Sequence, residues 1–331
     1  MYKFTAKKKR INWLYKSYCN TVDHSLEDFI ILVNKYYYRH STSLYQSRNI
    51  SDIEGQYFKV FDKLELQKRQ EINVVNIGAG QGFDYRQFRK NNIKYKKYFF
   101  IEPDSIMIES FKDSARDDRL QIINSLFTES LGEEIQSLRN KVLVMNSCLH
   151  HFTQIDDFLN LIKATMNKGD HFILCHEPNN TYNKSFLSYL AVFIKLFSSL
   201  AFFRKMGLSK NNETKASKER WDKINDDLVK LGILKQSVKP LIIRRIIDYG
   251  VNTKNDWKSL NIPSSYDEGH WDPKTIIDFF GDDFAVEHYT TYRHFGDSNG
   301  NLILGFLNNA YSKIFSRSKK GSVFGIVFRK Q

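Results

Sequence analysis

The chain has 331 residues, 41% of them hydrophobic and 15% aromatic, which is enough to bury a large core and excludes a wholly disordered chain or a small disulfide-stapled one. Fifty Lys plus Arg against 37 Asp plus Glu leave a formal charge of +13, a bias toward anionic surroundings such as nucleic acid, phospholipid or phosphorylated substrates that assigns none of them. The three cysteines, Cys19, Cys148 and Cys175, stand in no CxxC or Cys/His spacing, and no HxxxH or HxH occurs, so a reducing, cytoplasmic setting is expected and a metal site is not.

Residues 1 to about 70 read as a polar, helical N-terminal cap. Its Lys7-Lys8-Lys9-Arg10 run is a solvated tail or a contact for an anionic surface, and its basic start lacks the apolar core of a signal peptide. From residue 72 short β-branched or aromatic runs alternate with amphipathic stretches: INVVNI at 72, YFFIE at 98, LQIIN at 120, KVLVMN at 141 and HFILCHE at 171. Such alternation predicts a parallel sheet covered on both faces, because every parallel crossover needs a helix-length connection. Helices are expected from Ser105 and, with an acidic first turn that suits the helix dipole, from Asp156-Asp157.

After Pro178 the alternation stops for about 90 residues. Residues 186–203, FLSYLAVFIKLFSSLAFF, carry Lys195 at mid-segment, where a spanning helix would bear a cost of about 2.5–3.5 kcal/mol. A buried lid helix is expected instead, with a helix lying on a membrane surface as the alternative. SKNNETKASK at 209–218 reads as a polar loop. Asp272-Pro273 opens a capped helix, and residues 284–294 and 322–329 read as two strands separated by a helix at about 301–315. The expected fold is therefore α/β, a Rossmann-like, mostly parallel sheet of seven strands with helices on both faces. The core is assigned to 71–178 and 271–331, the helical lid insertion to 179–270, and the N-terminal cap to 1–70.

The first strand runs straight into Gly78-Ala79-Gly80-Gln81-Gly82, followed by the helical FDYRQFRK. Glycines let the backbone turn sharply and approach a ligand, and the helix N-terminus offers N–H groups, so a nucleotide-like cofactor is the natural occupant. A dinucleotide fingerprint needs its third glycine at 83, where Phe83 stands, and no GxxxxGK[ST] phosphate loop is present. Glu102, 24 residues after Gly78 at the end of the second strand, is placed to accept hydrogen bonds from ribose hydroxyls.

VVNIGAGQG, FFIEPD and LVMNSCLHHF, with seven strands ending in a hairpin-like pair, resemble the class I S-adenosylmethionine-dependent methyltransferases. The resemblance covers 71–178 closely and 271–331 in part. It implies that Gly78, Ala79, Gly80 and Gly82 lie against the adenosine and methionine parts of S-adenosylmethionine, that Glu102 holds the ribose, that Asn124 and Ser125 flank the adenine, and that Asn146 and Ser147 line the methionine end. Many relatives place Asp where Asn124-Ser125 stand, so adenine recognition here falls to an amide, a hydroxyl or backbone.

Methyl transfer to a hydroxyl needs the acceptor proton removed. His150, His151, His176, Glu177 and His270 are available, and His151 and His176 are the expected catalytic pair. Glu177 reads equally as a helix or loop cap, and His270-Trp271 as structural. The resulting expectation is a methyltransferase acting on a small-molecule or glycan-like acceptor, most readily at oxygen. A nucleic-acid methyltransferase is the alternative suggested by charge, opposed by the lack of an Asn/Asp-Pro-Pro-aromatic motif. A non-catalytic protein that keeps the fold and holds a partner or membrane through 179–270 is the other.

Overall fold

In the computed structural model the described residues are 13–25, 28, 29, 32, 33, 36, 51–68, 71–112, 117–151, 155–183, 185–198, 215–240, 242, 243, 272–296, 302–314 and 320–331. The Lys7–Arg10 run and His270-Trp271 lie outside them.

Seven strands form one sheet in the order β3-β2-β1-β4-β5-β7-β6: β1 is Ile72–Ile77, β2 Tyr95–Ile101, β3 Leu120–Ile123, β4 Lys141–Asn146, β5 His171–Pro178, β6 Phe284–Tyr292 and β7 Val323–Lys330. The first five pair in parallel, and β7 runs antiparallel between β5 and β6. This is the Rossmann-like arrangement expected from the alternation. Every residue of β1 is buried, as a strand covered on both faces requires, and this is why INVVNI shows no polar alternation.

One face packs against helices Glu129–Gln136, Ile155–Thr165 and Pro273–Phe280 through Leu131, Phe158, Ile162 and Phe280. The other packs against Ser51–Lys63, Phe83–Lys90 and Ser105–Lys112 through Tyr57, Phe61, Phe88 and Phe111. The Pro273 helix starts as its sequence predicts, with Asp272 accepting from Lys274 N at 2.9 Å and Pro at the first turn. At the amino edge of the sheet the buried Lys141 and Asp170 pair at 2.8 Å, and Lys141 Nζ also donates to Leu138 O.

Successive strands leave β1 in one direction through β2 and β3, then restart at β4 and proceed the other way. The connections that follow β1 and β4 therefore leave toward opposite sides, the switch point at which open α/β sheets form a crevice. That crevice is where the glycine loop lies.

Outside the sheet, Leu14, Cys19, Phe29 and Val33 share a core with Ile224, Leu228, Ile233 and Ile243, and Cys19 bridges Leu234 in antiparallel fashion. Part of the stretch read as a polar loop is helical: residues 215–218 belong to helix Lys215–Lys230, because Ile224 and Leu228 anchor its apolar side in this core, and 209–214 lie outside the described residues. Of 186–203, Phe186–Ser198 is helix. Ala191 is buried beside Phe295 and Leu304, while Phe186, Tyr189 and Phe193 are exposed. Among the described residues no helix is long and apolar enough to cross a membrane.

Candidate functional site

The loop after β1 is built from backbone. Gly78, Gly80 and Gly82 all have positive φ, at 65°, 54° and 77°. The N–H groups of Gly78 and Ala79 donate to Ile101 O, which ties the loop to the end of β2. A Cβ at 82 would lie 2.3 Å from the Phe111 ring, so neighbouring side chains occupy that space. At Gly80 a Cβ would meet nothing within 4 Å among the described residues, so on their account this backbone faces an open approach.

Glu102 follows β2 and is buried. Its Oε2 accepts from Gly80 N at 2.8 Å and its Oε1 from Asp104 N at 3.0 Å. Burial raises its pKa above the ordinary carboxylate value, and the two backbone hydrogen bonds pull in the other direction. Each carboxylate oxygen still has capacity for a second donor, which is what a ribose diol supplies.

At the end of β3, Asn124 Nδ2 donates to Glu102 O and Pro103 O, both at 3.0 Å, and Ser125 Oγ donates to Leu126 O at 2.9 Å. Both side chains thus use their donors to shape the loop. Any contact with an adenine amino group falls to their oxygens, which accept.

Asn146 closes β4, and its Nδ2 donates to Asp84 Oδ1 at 3.0 Å. Asp84 is buried in the first turn of the helix after the glycine loop. It also accepts from the Tyr57 hydroxyl and from Asn76 Nδ2, and burial raises its pKa. These bonds fix the Asn146 amide with its oxygen turned away from Asp84. Among the described residues that buried Oδ1 has no hydrogen-bond partner, and neither has the buried Gln81 Nε2 of the glycine loop. Unsatisfied polar atoms beside an open backbone are what a polar ligand completes. Ser147, next in the chain, holds φ 52° with its N–H on Cys175 O.

The adjoining turn Leu149–His151 is pinned by Glu177, which is fully buried. Its Oε1 accepts from Cys148 N and Leu149 N at 2.7 and 2.8 Å, and its Oε2 lies 3.0 Å from His150 Nδ1. Glu177 is therefore the cap of this turn and the partner of His150, oriented by the N–H groups of Cys148, Leu149 and His150 and by one imidazole. His151 ends the turn, and its side chain lies outside the described residues. His176 sits in β5 where the pairing with β7 shifts, at φ 55°, with Nδ1 2.7 Å from the Tyr292 hydroxyl. The buried thiols of Cys148 and Cys175 are pushed up by desolvation, which removes both as nucleophiles at neutral pH.

Asp84, Tyr57, Tyr292 and Arg293 do not stand out in the sequence. For Asp84 a signal exists: it lies four residues before Phe88 on the apolar side of its helix, so a carboxylate occupies a core-facing position. The others meet their partners only through the fold.

No protein-family model and no curated protein matches this chain. Among solved structures it is similar to the plantazolicin methyltransferase BpumL in complex with a monoazolic desmethylPZN analog and SAH, with a TM-score of 0.45 and 11% identity over 98% of this chain and 99% of that one. It is also similar to the plantazolicin methyltransferase BamL in complex with a triazolic desmethylPZN analog and SAH, with 0.40 and 10% over 91% and 98%. A third is an S-adenosylmethionine dependent methyltransferase from Mesorhizobium loti, with 0.38 and 9% over 79% and 92%.

Proposed function

We propose that this chain is an S-adenosylmethionine-dependent methyltransferase, working in the cytoplasm on a small-molecule or glycan-like acceptor, at oxygen. The observation that carries the reading is the pairing of Glu102 with Gly80 N–H across the β1–β2 edge of the crevice, beside backbone left open to approach. S-adenosylmethionine, when bound, supplies a methyl group already activated by its sulfonium. What this chain must provide is grip, alignment and exclusion of water.

Glu102 accepts from the ribose hydroxyls, and the loop Gly78–Gly82 lies against the adenosine and methionine parts. Asn124 and Ser125 offer oxygens to the adenine. Asn146 Oδ1, aimed away from Asp84 and without a partner among the described residues, suits the methionine ammonium, with Ser147 beside it. His176, at the carboxyl end of β5, takes the acceptor hydroxyl proton. His151 is the second candidate, and the Glu177-held His150 lies one residue before it. Residues 71–178 and 271–331 form the binding core. The cap within 1–70 and the insertion 179–270, which share a core of their own, close over the acceptor.

Isothermal titration of the full chain with S-adenosylhomocysteine tests this. Wild type is expected to bind and Glu102→Ala to bind at least about tenfold more weakly, since charge-assisted hydrogen bonds of about 1.5–3 kcal/mol are removed. No binding by wild type, or equal binding by both, rejects the reading.

A further inference from the structure

The helix Ser51–Lys63 lies within the stretch assigned to the N-terminal cap, yet it packs on the sheet: Ile53, Tyr57, Val60 and Phe61 share a core with residues of β1 and β2. Tyr57 is fully buried, with its ring set edge-on against Phe61 and Phe83 at centroid separations of 5.4 and 5.8 Å, so its hydroxyl has a fixed aim. It donates to Oδ1 of Asp84, in the first turn of the helix that follows the glycine loop. The neighbouring Cys175 thiol is pushed up by burial and stays protonated, which leaves the phenolic hydrogen to the carboxylate. Three residues before Tyr57, Glu54 accepts from Gln87 Nε2 at 3.2 Å and from Lys90 Nζ at 3.0 Å, so polar contacts join the two helices at more than one level.

Asp84 is 2% exposed, and its described side-chain partners all donate to it. Oδ1 accepts from Tyr57 and from Asn146 Nδ2 at 3.0 Å, and Oδ2 accepts from Asn76 Nδ2 at 2.8 Å. Asn76 is held from its other end by the Tyr98 hydroxyl, which donates to Asn76 Oδ1 at 3.0 Å. A buried carboxylate needs such donors, and it dictates the orientation of any amide set against it: two oxygens would repel, so the NH2 turns in and the oxygen turns out. For Asn146 that oxygen sits at the carboxyl end of β4 with no hydrogen-bond partner among the described residues. Tyr57 and Asn146 share one oxygen of Asp84, so the bond from Tyr57 holds in place the atom on which the Asn146 amide rests.

We propose that Tyr57 is a positioning residue for the amino-acid end of the cofactor: through Asp84 it keeps the Asn146 oxygen turned toward the crevice, where an ammonium group needs an acceptor. This rests on the methyltransferase reading and deepens it, since it draws a helix from outside the assigned binding core into the cofactor site. Tyr57, being fully buried, acts through Asp84 and Asn146 and not by touching the ligand. Without its hydroxyl, Oδ1 keeps one of its two described donors, the carboxylate is less firmly held, and the Asn146 amide is free to turn. Asp84→Asn goes further, because an NH2 set beside Asn146 draws the amide oxygen inward and aims the Asn146 NH2 at the cofactor's ammonium.

The test is isothermal titration of the full chain with S-adenosylhomocysteine and with methylthioadenosine, which keeps the adenosyl part and lacks the amino-acid end. Tyr57→Phe is expected to weaken S-adenosylhomocysteine by at least about fivefold and to leave methylthioadenosine within about twofold, a split that general loss of structure does not produce. Asp84→Asn should show the same split, and it decides the matter if Tyr57→Phe does not fold. In an Asn146→Ala background, Tyr57→Phe should change S-adenosylhomocysteine affinity by less than about twofold, because the residue it acts through is gone. Wild-type affinity for S-adenosylhomocysteine in these variants, equal loss of both ligands, or penalties at 57 and 146 that multiply overturns the positioning role and leaves the methyltransferase reading standing. Binding of neither ligand by wild type overturns that reading, and the role of Tyr57 with it.

Discussion

After β1 the left-handed positions are Gly78, Gly80 and Gly82, whereas at the ends of β4, β5 and β6 they are Ser147, His176 and Arg293. The same backbone conformation serves two purposes. In the first region these positions carry no Cβ, so a ligand or a neighbouring ring can lie against the main chain, while the N–H groups of Gly78, Gly80 and Gly82 are held by Ile101 O, Glu102 Oε2 and Ala79 O. In the second the chain keeps its side chains and accepts a cost of about 1–2 kcal/mol at each residue. Surrounding bonds hold that strain in place, such as Ser147 N on Cys175 O and Ser322 N on Arg293 O.

The largest effect expected from this contrast lies within the glycine loop itself. Gly82→Ala places a methyl inside the stacked Phe100–Phe111 pair, and overpacking with φ strain should together cost about 3 kcal/mol in urea denaturation. Gly80→Ala meets no neighbour and should cost only about 1–2 kcal/mol, yet obstruct S-adenosylhomocysteine. Equal losses of stability at 80 and 82 would erase the distinction between a packing glycine and an approach glycine.

Acidity gives a middle-sized effect with a definite sign. Glu102 and Asp84 are both raised by burial, so the native chain binds protons over a range where the unfolded chain has released them. Their contribution to stability is full below the unfolded values, 4.5 for Glu102 and 3.8 for Asp84, and is lost as pH rises through the folded ones. Under the proposed function ligand affinity runs the opposite way, because ribose hydroxyls would donate to the ionised carboxylate. S-adenosylhomocysteine should therefore weaken as pH falls through the raised Glu102 value, with a proton released on binding. Titration calorimetry in buffers of different ionisation enthalpy measures this, and Glu102→Gln should abolish the released proton. An affinity that stays level across that range would remove Glu102 from the binding set.

The smallest effect tests the second region. Ser147→Gly relieves left-handed strain but loosens the unfolded chain, for a net gain under about 1 kcal/mol in thermal unfolding. A loss of more than about 1 kcal/mol would mean that the serine side chain, and not its backbone, holds the end of β4.

Much of the sheet was legible because burial on both faces leaves a local trace: INVVNI and KVLVMN are apolar without alternation, and turn residues separate them. The glycine loop and Glu102 were legible because their spacing is short-range. The strand expected over 284–294 ends at Tyr292, since Arg293 leaves the strand in the left-handed region, a feature its identity does not advertise. His176 and Glu177 are neighbours in sequence with opposite surroundings, one on Tyr292 and one under the 148–150 turn, and composition alone could not separate them. Asn124 illustrates the same limit: its residue type suits base recognition, but only the fold shows its amide committed to Glu102 O and Pro103 O.

The core shared by Phe29 and Val33 with Ile224, Leu228 and Ile243 sets a rule for anyone cutting or grafting this chain. Beginning a fragment at β1 would strip half the lining from the insertion's interior and bare a greasy surface on the remainder. A chimera that exchanges the insertion for another protein's must move both stretches as one cassette, though almost two hundred positions separate them along the polypeptide.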